Sequence, residues 1–107
     1  MLLPPASAKT DEDKLAFYNR AWKLLHYARE EQRLAQWKSD PKGFKEWVDK
    51  TWQPMLDKLF ALIAPLRKAV YDKTGGSDSA KNEAVISIKA ASYGDDKWDA
   101  DIHLGDL

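Results

Sequence analysis

Cysteine is missing from this sequence altogether. That excludes a disulfide framework and a thiolate-bound zinc site, and it suits a reducing compartment. Histidine is nearly as scarce, with His26 and His103 the whole supply. Neither stands with a second His or with a Glu at the spacing of a helical metal site. His26 and Glu30, one turn apart, read as a solvated surface pair. Glycine occurs five times, and its one doublet, Gly75-Gly76, reads as a helix stop; no phosphate-cradling loop or nucleophile elbow is present. No run approaches the ~18 apolar residues of a membrane span. The start, Met1-Leu2-Leu3-Pro4-Pro5, lacks the basic and apolar stretches of a signal peptide. The expectation is a cytoplasmic chain without membrane contact, catalytic site, metal or cofactor: not an enzyme.

What is present is charge and tryptophan. Charged residues make up 32% of the 107 positions and hydrophobic ones 44%, a balance suited to one folded domain. Net charge is zero but unevenly laid out. Residues 1–76 carry 14 Lys/Arg against 10 Asp/Glu, and residues 77–107 carry 3 Lys against 7 Asp/Glu. A basic body and an acidic last third either neutralise each other, within the fold or across a dimer, or leave the body to meet an acidic partner.

The spacing predicts a mainly helical fold. Residues 1–9, with two prolines and small side chains, read as a loose arm. Thr10 followed by Asp11, Glu12 and Asp13 is a helix start, because the threonine caps and the acids favour the positive end of the helix dipole. A first helix then runs to about Lys38. Leu15, Phe17, Tyr18, Ala21, Trp22, Leu24, Leu25 and Ala28 form its main apolar face. Tyr27, Leu34 and Trp37 form a second stripe on the other side. A helix with two stripes is either enclosed within its own fold or offers one stripe to a partner.

Ser39-Asp40-Pro41-Lys42-Gly43 breaks the pattern, with Asp40 or Ser39 as cap and Pro41 in a first helical turn. From Phe44 to Val70 the apolar residues keep one helical phase across Pro54 and Pro65. This predicts one helix, about 41–73, kinked at both prolines; two helices meeting near Pro54 are the alternative. The short connection predicts an antiparallel hairpin with 11–38, its seam holding Trp22, Trp47, Trp52 and the leucines. For residues 79–104 two readings stand. One is a third helix to about Tyr93, followed by an acidic tail. The other is a C-terminal β-hairpin, for which Trp98, Ala100, Ile102 and Leu104 alternate with polar residues.

Aromatic and basic residues interleave along both helices. Because Trp37 lies off the main seam, it, Tyr27 and Leu34, flanked by Arg33 and Lys38, are the predicted partner-binding residues; tryptophan and arginine are favoured interface anchors. The predicted function is that of a non-enzymatic accessory protein that binds a larger protein complex or self-associates. The alternative is a small helical nucleic-acid-binding subunit that uses Arg20, Lys23, Arg33, Lys38, Lys42 and Lys45.

The stretch Lys73-Thr74 … Ala80-Lys81 … Asp96-Lys97-Trp98-Asp99-Ala100-Asp101-Ile102-His103-Leu104-Gly105 resembles part of the γ subunit of soluble methane monooxygenase hydroxylases. The similarity covers about the last third of the chain, with one gap near Ile102 and no matching signature upstream. The resemblance implies an all-helical, non-catalytic structural subunit docked on a larger multicomponent oxygenase. No functional residue carries over.

Overall fold

A computed structural model describes residues 1–73 and 97–107. It is mainly helical, with no strand among the described residues. Helix α1 spans Asp11–Gln36, α2 spans Pro41–Trp47 and α3 spans Gln53–Lys73. The start of α1 is the one its sequence predicts. The Thr10 side chain accepts the Asp13 N–H at 3.0 Å, and Asp11, Glu12 and Asp13 fill the first turn. Helix α2 starts likewise: Asp40 accepts the Gly43 N–H at 3.0 Å, and Pro41 sits where its missing N–H costs nothing.

Between α2 and α3, residues Val48–Trp52 form a wider π-helical turn, in which the Gln53 N–H reaches back to the Val48 carbonyl. This turn lies immediately before Pro54. A proline ring clashes with the carbonyl four residues back in an α-helix, and a widened turn relieves that clash without ending the helix. Pro65, in contrast, lies inside α3 without interrupting it.

The second helical stretch packs along α1, and the pairings run in opposite order along the two. Arg29 lies over the ring of Phe44, the Trp52 indole N–H donates to the Leu25 carbonyl at 2.7 Å, and Lys14 and Tyr18 share a cleft with Leu62 and Leu66. The core holds Leu15, Phe17, Tyr18, Ala21 and Leu25 of α1 with Trp52, Leu56, Leu59, Ile63 and Val70.

Two segments expected at the margin also belong to this core. Within residues 1–9, read from the sequence as a loose arm, Leu2 and Ala8 are buried, and the Leu2 carbonyl accepts the Tyr18 hydroxyl at 2.9 Å, while Met1 and Leu3 stay exposed. A lone leucine among prolines carries no periodic signal, so the sequence does not announce its burial. At the other end, residues 97–107 are not a strand but two short 3-10 turns, Asp99–Asp101 and Leu104–Asp106. Trp98 and Ile102 are buried. Their spacing of four matches a coiled path, because the Asp101 and Ile102 N–H groups bond back to Trp98 and Asp99 rather than across a ladder. The Trp98 ring meets Phe17 edge-on at 6.1 Å. Arg20 grips Asp99 through two parallel bonds of 2.6 and 2.8 Å, and Lys58 donates to the Leu107 carbonyl. The predicted third helix to Tyr93 lies outside the described residues.

Candidate protein-interaction surface

The far end of α1 differs from its beginning. No residue from 26 to 51 is buried. Three large hydrophobic residues stand out there: Tyr27 is 56% exposed, Leu34 67% and Trp37 47%. Helical geometry places them together. Tyr27 and Leu34, seven residues apart, differ by about 20° around the axis, and Trp37 lies about 60° further round the same side. The helical path continues through Trp37, whose N–H bonds to the Arg33 carbonyl, and the Asp40 N–H bonds to Gln36. Tyr27, Leu34 and Trp37 therefore occupy one exposed surface.

The charged residues predicted beside them are there as well. Arg33 pairs with Glu30 through Nε and Nη2. The bond to Arg33 holds the Glu30 carboxyl below its ordinary range, and Glu30 in turn raises the guanidinium. The Lys38 ammonium lies 5.9 Å from the centre of the Trp37 ring. Glu31 and Lys38 are exposed, and neither is in an ion pair among the described residues.

The tryptophans expected in the seam divide. Trp52 is buried and Trp47 packs against the core from its edge. Trp22 is not in the seam: it is 39% exposed, and its ring tilts against His26 at 4.1 Å. Two features separate Trp22 from the buried residues. It lies at the rim of the apolar arc, and its neighbour His26 comes between it and Trp52. His26 is not a surface partner of Glu30, since its Nδ1 lies 2.9 Å from the Trp22 carbonyl and Glu30 is held by Arg33. A carbonyl only accepts, so this contact is a hydrogen bond in the tautomer that carries its proton on Nδ1. His26 also meets Trp52 edge-on at 5.2 Å.

One arrangement escaped sequence reasoning. Trp22, His26, Trp52, Arg29, Phe44 and Trp47 form a continuous series along one edge of the helix pair. Arg29 bridges the rings of Trp52 at 5.1 Å and Phe44 at 6.0 Å, and Phe44 stacks on Trp47 at 6.3 Å. The spacing of Trp22, His26 and Arg29 puts all three on one side of α1, but only the packing brings Phe44 and Trp52 to them. These aromatic faces are thus largely spent on one another and on Arg29. Among the cations proposed for nucleic acid, Arg20 is held by Asp99 and Arg33 by Glu30.

Among the described residues no group of three or more His, Asp or Glu side chains is placed to hold a metal ion, and no helix is long and apolar enough to cross a membrane. No family model, curated protein or solved structure matches the chain.

Proposed function

We propose that this chain is a non-enzymatic helical interaction protein, a hairpin whose closed end is a docking surface for another protein chain. The observation that supports this most is the exposure of Tyr27, Leu34 and Trp37 on one side of a helix end that contains no buried residue. Tyrosine, tryptophan and arginine, three of the residue types gathered here, are the ones enriched at interface centres. A larger oligomeric enzyme is one partner of this kind, in line with the resemblance of the last third to an oxygenase subunit.

Leu34→Asp tests the reading. A surface residue away from packed features changes stability by no more than about 0.5 kcal/mol. The variant should therefore melt within a few degrees of the wild type and lose association, read by comparing what tagged wild-type and variant chains retain from the native host. A large drop in melting temperature would place Leu34 in the core and end the proposal; identical retention by both chains would do the same.

Single-stranded nucleic acid is the competing reading. The Phe44–Trp47 stack, 25° from parallel, is the one observation in its favour. It predicts binding whose logarithm falls linearly with the logarithm of salt. The ion pairs already made by Arg20 and Arg33 weigh against it.

A further inference from the structure

The charge layout around Leu34 points to a particular partner. We propose that the exposed stripe of α1 docks a second copy of this chain, antiparallel, about a two-fold axis passing beside Leu34. This rests on the interaction-surface reading and names its occupant.

The argument is one of self-complementarity. A two-fold contact requires the same patch on both copies to fit itself, so that whatever lies before the axis matches whatever lies after it. Glu31 precedes Leu34 by three residues and Lys38 follows it by four. Within one chain they are about 10 Å apart along the axis, too far to pair. With the helical path of α1 continued past Gln36, the backbone positions of both lie on the same side of the stripe, roughly 40–60° from Leu34. The flexible Lys38 side chain, whose ammonium lies 5.9 Å from the centre of the Trp37 ring, has to swing away from that ring to pair. A two-fold axis perpendicular to both helices keeps that side and reverses the direction. Lys38 of one copy then falls within about 1.5 Å, along the axis, of the level of Glu31 of the other. Two such pairs form, one at each end of a Leu34–Leu34 contact. Both groups are exposed and outside any ion pair among the described residues.

The opposite side of the stripe behaves in the same way. Trp37 lies there beyond Leu34, and Glu30 and Arg33 lie there before it. The same operation sets each Trp37 ring against the Arg33–Glu30 pair of the other copy, a site for cation–π contact. One operation therefore accounts for Leu34, Trp37, Arg33 and Lys38 together, with Tyr27 at the outer edge. A contact built on so few large side chains is at the small end of the range for specific interfaces, so a weak dimer is expected.

Charge reversal in solution is the test. Sedimentation equilibrium of the full chain from roughly 5 to 500 μM should show a monomer–dimer equilibrium with a dissociation constant in the micromolar range. Glu31→Lys and Lys38→Glu should each weaken the dimer by roughly tenfold or more, because each places like charges opposite one another twice. Mixing the two single variants should restore association as a heterodimer, since one copy then brings two lysines and the other two glutamates. A monomeric wild type across that range overturns the proposal, and so does a dimer indifferent to both reversals or a mixture that fails to associate. The melting temperature of Leu34→Asp separates this failure from that of the broader reading. An unchanged value with a monomeric wild type leaves the surface to a different protein, whereas a large drop removes the surface itself.

Discussion

The two halves of α1 are one continuous helix with opposite fates. Near its start, Leu15, Ala16, Phe17 and Tyr18 are buried in succession. Four consecutive buried residues face every direction around a helix, so this half is enclosed. Leu2 reaches it from one end of the chain and Trp98 from the other. Among the described residues the second half meets the rest of the fold along one edge, through Leu24, Leu25, His26 and Arg29, and leaves Tyr27, Leu34 and Trp37 outside. The contrast shows that two apolar stripes on a helix do not have one meaning. The first half is core all round, whereas the second stripe, Tyr27, Leu34 and Trp37, belongs to the far half and stands at the surface.

The sharpest way to break this comparison is to truncate one residue from each half. Phe17→Ala should cost roughly 3–5 kcal/mol, the range for a buried phenylalanine, while Leu34→Ala should stay within about 0.5 kcal/mol. Urea denaturation of both variants reads the difference, and equal costs would erase the distinction. Next in size is Leu2→Ala. If the N-terminal segment is core, its loss should cost about 2 kcal/mol or more; a variant as stable as the wild type would return residues 1–9 to the status of a loose arm.

The tryptophans sharpen the same comparison at smaller scale. The Trp52 indole N–H has an acceptor in Leu25, whereas the Trp98 indole N–H is buried without one among the described residues. Trp52→Phe should therefore lose a hydrogen bond worth about 1 kcal/mol in addition to ring volume. Trp98→Phe loses volume but relieves an unsatisfied donor, so its cost should be the smaller of the two in thermal melts.

The smallest effect is that of pH. The Asp99 carboxyl is held below its ordinary range, first by its bond to Arg20 and then by the charge of that guanidinium, against the opposing effect of burial. The folded value is the lower one, so the stabilisation is present above about pH 4 and is lost as pH falls through the folded value. For a partly exposed pair the contribution is at most about 1 kcal/mol. Asp99→Asn should accordingly shrink the fall in melting temperature between pH 6 and pH 3, by a few degrees at most; an unchanged fall would show that the Arg20–Asp99 grip carries no stability.

Much of the helical framework is legible in the sequence because its signals are local. Thr10 before three acids and Asp40 before Pro41 mark starts that capping chemistry alone explains, and the steady phase from Phe44 to Val70 reads through both prolines. The exposed stripe is legible for a related reason, since Tyr27, Leu34 and Trp37 fall outside the phase of the main face. Trp22 shows the limit. It shares the phase of the core yet stands at the rim, with His26 between it and Trp52. Leu2, Trp98 and Ile102 show the converse, because isolated apolar residues in irregular segments have no period to reveal their burial.

Among the described residues, periodicity and capping therefore determine by themselves where α1 and α2 begin and which residues of a helix share a side. Only the tertiary structure decides which end of α1 is enclosed, because that depends on where Leu2 and Trp98 come to rest, far from Phe17 in sequence and adjacent to the core in space. The physical reason is the range of the interactions. A cap or a helical phase is fixed within a few residues, whereas burial is settled by whichever distant segments arrive to exclude water.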